Sequence, residues 1–320
     1  VTTSGGAALS PFDPRAIDPE TLEIAARVEA ALAQSTPAYE TSVAQIRSSA
    51  NPSAQLSRPD PPSARARSHD IAGPGGPLNL RIVAPSSAAR GVYMYFHGGG
   101  WVRGSNDTHD AFLEHLADNH GLVAISVAYR LAPDHPYPAA PDDCEAAALW
   151  ALDQGVREFG VDGLILAGDS AGGHLAAVTA LRLRARGHAA RLRGLALAYG
   201  LYELTLTPSV QNWGDRLLVL NTRAVTWCRD QFAPRPETWV TPDVSPLRAR
   251  LDGLPPALFA IGTLDPLLDD TLFMHARWEA AGNRSQLEVL PGAIHGFKGF
   301  GGPPARRFAE VHDSFLRTLA

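Results

Sequence analysis

Three stretches of the chain carry side chains and backbone suited to nucleophilic acyl chemistry. Gly168-Asp169-Ser170-Ala171-Gly172-Gly173 follows the apolar run Gly163–Ala167 and precedes an Ala-rich stretch of helical texture. A serine on a tight turn between strand and helix projects its hydroxyl above a sheet, and flanking glycines keep side chains out of the crowded backbone. Ser170 is the candidate nucleophile. The amide of Ala171 stands at a helix start, where it can donate to a developing negative charge. The stretch has neither the lysine nor the spacing of a phosphate-binding P-loop.

His97-Gly98-Gly99-Gly100-Trp101 ends another apolar run, Val92–Phe96. Successive glycines let the backbone approach a ligand and aim its amides at an oxyanion. Gly99 and Gly100 are the preferred donors, Ala171 the third and Gly98 the reserve. His97 reads as a brace for this loop rather than a proton carrier. Two further residues complete a Ser–acid–base order. Asp265 follows the run Ala257–Ile261, and His295 follows the last short run, Leu287–Leu290. Both fall at strand C-terminal ends, where open parallel sheets place their sites. His295 would take the proton of Ser170 while Asp265 orients the imidazole, giving an acyl-enzyme that water releases. Asp269 and Asp270 are rival acids, expected inside a helix and solvated. His109, His115 and His120 are expected at the surface; they form no HExxH motif, and no metal or cofactor is assigned.

The elements that must hold these residues are legible as texture. Short runs rich in Val, Ile, Leu or Tyr (Leu80–Ala84, Val92–Phe96, Leu122–Tyr129, Gly163–Ala167, Leu195–Tyr199, Ala257–Ile261, Leu287–Leu290) alternate with helix-like stretches near 106–120, 142–159, 171–187, 267–281 and 304–318. Strands alternating with helices predict an α/β fold with a mostly parallel sheet covered on both faces. In Pro14–Ala33, Ile17, Leu22, Ile24, Val28 and Leu32 recur at roughly helical spacing. Ala50–Pro77 is rich in Pro, Ser, Gly and Arg and reads as a linker with room for one short strand. Gly200–Arg250 has no strong strand but holds Tyr202, Trp213, Trp227, Phe232 and Trp239, the composition of a lid.

Composition sets outer bounds. The 320 residues include 28 basic and 33 acidic side chains, a net charge of −5 that argues against nucleic-acid binding. At 45% hydrophobic and 19% charged the chain is globular. Two cysteines, Cys144 and Cys228, exclude a disulfide framework and read as buried thiols. No apolar run approaches the roughly 18 residues of a membrane span. The opening VTTSGGAALSPFDP lacks a basic region and a long apolar core, so a cytoplasmic setting is expected.

HGGGW at 97–101, YRLAPDHPYPAAPDD at 129–143, GDSAGG at 168–173, DPL at 265–267 and HGF at 295–297 together resemble the bacterial hormone-sensitive-lipase-like esterases, which are α/β-hydrolases. The resemblance spans about residues 78–320. It implies an eight-stranded sheet, the Ser170–Asp265–His295 triad, no cofactor, and hydrolysis of short- to medium-chain carboxylic esters, with a homodimer as a frequent assembly. It also implies a cap from residues 1–50 and 200–250, set on a catalytic domain of 51–199 and 251–320. Asp134 stands where the family usually has glutamate. Trp101, Tyr199, Tyr202, Trp213, Leu217 and Leu218 are the expected walls of the substrate pocket, while Ile294 and Phe297 are expected to pack beneath the base. An amidase, formamidase or lactone hydrolase on the same triad is the alternative activity. A non-catalytic binder on this scaffold is more remote, since serine, acid and histidine are all in place.

Overall fold

The structure, a computed structural model, describes residues 9–48 and 61–319. Eight strands form one sheet: β1 (Arg67–Gly73), β2 (Gly76–Val83), β3 (Gly91–Phe96), β4 (Leu122–Val127), β5 (Leu164–Asp169), β6 (Leu192–Ala198), β7 (Ala257–Leu264) and β8 (Ser285–Ile294). Their order across the sheet is β1-β2-β4-β3-β5-β6-β7-β8. β2 runs antiparallel to both β1 and β4; every other pairing is parallel. Every residue of β3 and β4 is buried, as expected of strands covered on both faces.

β1 is the strand for which Ala50–Pro77 left room; residues 50–60 of that stretch lie outside the described residues. β1 sits at the sheet edge and buries only Ile71, so its sequence carries no apolar run.

Ten α-helices are described: α1 (Pro19–Leu32), α2 (Val43–Arg47), α3 (Asp110–His120), α4 (Ala139–Trp150), α5 (Val156–Phe159), α6 (Ala171–Ala185), α7 (Pro208–Trp213), α8 (Thr222–Phe232), α9 (Leu268–Ala280) and α10 (Gly302–Thr318). α10 buries Phe308, Val311, His312, Phe315 and Leu316, a stripe at i, i+3, i+4, i+7 and i+8 that faces the core. α3 and α10 share one face of the sheet. Tyr93 and Tyr95, two apart on β3, both point there: the Tyr93 hydroxyl meets His312 Nε2 at 2.8 Å, and the Tyr95 ring meets that of Phe112 at 5.5 Å.

α1 starts later than its periodicity predicts. Asp18 caps it by accepting from the Glu20 amide at 2.8 Å, with Pro19 in the first turn, and Leu22 stays exposed. Its buried face meets the 200–250 insertion. Ile24, Ala25, Val28 and Leu32 form a small separate core with Leu218 and with Ile294, the last residue of β8. Arg216 donates to Glu29 at 2.8 Å across the same seam. The insertion itself consists of α7, α8 and short 3-10 turns, with no strand among its described residues.

Candidate active site

The sequence dictates an unusual backbone at Ser170. The chain must turn from β5 into α6 within one residue, and Ser170 takes φ 55° and ψ −122° to do it. Its neighbours have no room for a side chain. A Cβ on Gly172 would lie 1.9 Å from the Phe96 carbonyl oxygen, and one on Gly168 would lie 2.3 Å from the Gly172 backbone. The G-x-S-x-G spacing is thus a packing requirement of β3, β5 and α6 meeting at one point.

β7 and β8 deliver the other two members of the predicted triad. His295, just past β8, holds its Nε2 2.9 Å from Ser170 Oγ and its Nδ1 2.8 Å from Asp265 Oδ2. The second oxygen of Asp265 accepts from the Leu267 amide at 2.9 Å, which fixes the carboxylate. Asp265 and His295 are buried, whereas Ser170 is half-exposed and reachable. The geometry allows a proton to leave Oγ for Nε2 with a carboxylate behind the ring.

The glycine loop passes directly over the serine: a Cβ on Gly98 would lie 3.5 Å from Ser170 Cβ. Gly99 and Gly100 adopt φ 123° and 62°, and the Gly99 carbonyl closes the turn by accepting from Val102 and Arg103 amides at 3.2 and 3.1 Å. Among the described residues, the amides of Gly98, Gly99, Gly100 and Ala171 have no protein acceptor. His97 braces the loop as expected. Its ring stacks on Tyr129 at 4.3 Å, its Nδ1 lies 2.8 Å from the Gly98 carbonyl, and burial pushes its pKa down to about 4. Tyr129 in turn donates to the His97 carbonyl at 2.7 Å.

Two further supports have no role legible in the sequence: Arg47 lies outside every motif, and Asp169 lies inside GDSAGG without a task of its own. Arg47, on α2, donates to the carbonyls of Val102 and Ala132, each at 2.8 Å, and so ties the N-terminal segment to the loop. It also pairs with Asp134 at 2.5 Å. Asp169, beside the nucleophile, accepts from the Tyr95 hydroxyl and lies 3.5 Å from Lys298 Nζ. Burial works against its charge, yet Lys298 and the neighbouring His109 and Tyr95 together hold it below the usual carboxylate range.

Several expected residues sit elsewhere. Tyr202 is not a pocket wall: it is wholly buried, its ring edge-on to Phe259 at 6.4 Å. Trp101 backs the glycine loop, stacked on Phe232 at 4.5 Å with its Nε1 donating to His174 at 3.3 Å, and is likewise buried. Tyr199 packs edge-on to His295 and Phe297, each at 5.0 Å. Leu218 is buried in the small core against α1, and Trp213 and Leu217 pack alongside it. Ile294 belongs to that small core, and Phe297 is buried against Tyr199 and Phe308. Asp270 is not solvated: it is fully buried and accepts from the Tyr202 and Glu203 amides and the Thr207 hydroxyl at 2.6, 2.9 and 2.6 Å. Asp269, also on α9, accepts from the Ser209 amide at 2.7 Å and is half-buried. Both acids anchor the insertion. His120 is buried rather than superficial, and His109 and His115 are half-buried. Cys144 is buried as expected and Cys228 is half-buried against the loop; both are unpaired.

The family model for the alpha/beta hydrolase fold matches residues 93–299, the span from β3 through the His295 loop. The chain belongs to this family. Within it, the hydrolase is 36% identical to "Esterase LipI" of Mycobacterium tuberculosis over 259 residues, covering 77% of this chain and 78% of the relative. It is 35% identical to "Ethyl acetate hydrolase" of Pseudomonas putida, covering 71% and 73%. A solved hyperthermophilic esterase from the archaeon Pyrobaculum calidifontis superposes with a TM-score of 0.82 at 31% identity, over 95% of this hydrolase and 97% of that chain. Among the described residues, no helix of the hydrolase is long and apolar enough to cross a membrane.

Proposed function

We propose that the chain hydrolyses short- to medium-chain carboxylic esters through an acyl-enzyme on Ser170. It is a carboxylesterase: the relatives above are named as esterases and as an ethyl acetate hydrolase, and two further mycobacterial relatives, 36% and 34% identical, are named carboxylic ester hydrolase and carboxylesterase. His295 takes the serine proton as Oγ attacks the acyl carbonyl, and Asp265 stabilises the imidazolium without itself accepting the proton. The oxyanion rests on the amides of Gly99, Gly100 and Ala171. His295 then protonates the departing alcohol, and water activated by the same ring releases the acid.

The observation that carries this reading is the continuous Ser170–His295–Asp265 hydrogen-bond chain, with separations of 2.9 and 2.8 Å, beneath a glycine loop whose amides are unengaged. The seam between α1 and the insertion, at the C-terminal ends of β7 and β8, supports residues 1–50 and 200–250 as a cap that sets acyl length, with 51–199 and 251–320 as the catalytic body. Two unpaired thiols support a reducing, cytoplasmic setting. Light scattering on the purified chain tests the homodimer that the family resemblance implies.

Hydrolysis of p-nitrophenyl esters from acetate to laurate, by wild type and Ser170→Ala together, tests the function. Turnover that falls with chain length and vanishes in the variant is the expected result. A folded wild type inactive on every ester would overturn it and turn attention to amides and lactones.

A further inference from the structure

Three metal-binding side chains meet at the seam between α3 and α10. His115 and His120 come from α3 and Asp313 from α10. Both histidine Nε2 atoms stand 2.9 Å from the same atom, Oδ1 of Asp313, and the ligand atoms of all three residues lie within 4.8 Å of one another. His120 is buried and its two partners are half-buried. A cleft of about 200 Å³, lined by His115, Asp313, His312, Phe112, Phe308 and Lys298 among others, opens on the group.

We propose that His115, His120 and Asp313 form a binding site for a divalent transition metal, zinc(II) foremost, separate from the ester-hydrolysing centre. Two imidazoles and a carboxylate are a borderline donor set that suits zinc. Bonds of about 2.0–2.2 Å in a tetrahedron put ligand atoms roughly 3.3 Å apart. The two 2.9 Å pairs need to open by only a fraction of an ångström to admit an ion. Three protein ligands leave a fourth position, which water can reach through the cleft. His312 does not belong to the group: its Nε2 is taken by the Tyr93 hydroxyl at 2.8 Å, and only the ligand atoms of His115, His120 and Asp313 converge. Lys298, the nearby cation of the cleft, is drawn toward Asp169.

Both histidines would bind through a neutral Nε2, so the proton each now directs at Asp313 passes to Nδ1. In His115 that atom faces the Asn119 side-chain amide at 3.0 Å; turning the amide so that its oxygen accepts the proton gives up the 3.1 Å bond that Asn119 now donates to the His115 carbonyl. Bound metal would cross-link α3 to α10, the last helix of the chain, across 193 residues of sequence.

The experiment uses the full chain, stripped with a chelator and exchanged into buffer at about pH 7.5. Zinc chloride is titrated in by calorimetry, and cobalt(II) absorption reports the coordination. One ion per chain, an absorption band of tetrahedral cobalt and a raised unfolding temperature are expected. His115→Ala and Asp313→Asn should each weaken uptake at least tenfold, while His135→Ala, an exposed control, should leave it unchanged. Retained hydrolysis of p-nitrophenyl acetate by these variants shows that they are folded. No saturable uptake by wild type, or equal uptake by wild type and both ligand variants, overturns the proposal.

Discussion

Arg47 donates to the Val102 carbonyl at 2.8 Å, joining α2 to the glycine loop 55 residues further along the chain. The same guanidinium holds the Ala132 carbonyl at 2.8 Å. Both carbonyls belong to buried residues. The N-terminal segment therefore supports the loop that would hold the oxyanion.

Arg47→Met should accordingly lower kcat by about ten- to a hundredfold, since small misplacements of positioning groups cost that much. It should also cost about 1–3 kcal/mol of stability by leaving buried carbonyls unpaired. Asp134→Ala, which removes only the exposed end of the network, should do little. Steady-state kinetics and denaturant melts of the two variants decide; an unchanged kcat for Arg47→Met would show that the loop stands without it.

Ser170→Ala should lose turnover on the order of 10⁶-fold, as loss of a triad nucleophile does elsewhere. The backbone at φ 55° is no harder for alanine than for serine, so melting should be unaffected. A tenth of the activity surviving would mean another nucleophile.

The three acids near the start of α9 should separate cleanly. Asp265→Asn leaves the geometry in place but favours the wrong imidazole tautomer, at a cost of about 10⁴ in kcat. Asp269→Asn, whose oxygen caps Ser209, should leave kcat within a fewfold. A larger loss from Asp269→Asn than from Asp265→Asn would reassign the acid.

Asp270 should make stability depend on pH. Burial outweighs its three hydrogen-bond donors and pushes its pKa up to about 7 from 3.8. Between those values the folded state holds more protons than the unfolded one, so stability falls as pH rises. The slope from this group approaches about 1.4 kcal/mol per pH unit at its steepest. Asp270→Asn copies the neutral carboxyl and should remove that part of the slope between about pH 4 and 7. Urea melts across that range measure it; parallel slopes in the two proteins would refute the assignment.

How much of this was legible in sequence follows from the range of each signal. β3, β4 and β5 announce themselves because they are buried on both faces and are almost entirely apolar. β1 does not, because an edge strand with one buried residue has no pattern to read. Ser170, Asp265 and His295 could be named because each ends a strand in a short motif, and the structure brings them within hydrogen-bond reach. Tyr202 and Asp270 lie deeper than their residue types suggest for a common reason: the insertion folds back so that its first residues are fastened to α9 by a buried carboxylate. A solvent-loving residue type gives no local hint of such burial. The grouping of His115 and His120 with Asp313 is a long-range fact of α3 lying beside α10 and has no local signature at all.

Leu218→Ala tests the cap through its own packing. Leu218 is wholly buried, with Ile24, Val28 and Leu32 of α1 around it. Truncation of a buried leucine costs about 2–5 kcal/mol where the site cannot collapse. That loss falls on the seam between α1 and the insertion rather than on the main core, so the body should keep its fold while the seam loosens. Ser170, His295 and Asp265 are not members of this small core, though Ile294 and Leu264 beside two of them touch it, so kcat on p-nitrophenyl acetate should fall by no more than about tenfold. The ratio of kcat/KM for hexanoate or octanoate to that for acetate should move by more, because a longer acyl chain would reach the cap. Hydrogen exchange on α1 should rise in parallel. An unaltered chain-length ratio alongside faster exchange would mean that α1 is a clamp on the fold with no part in the acyl site.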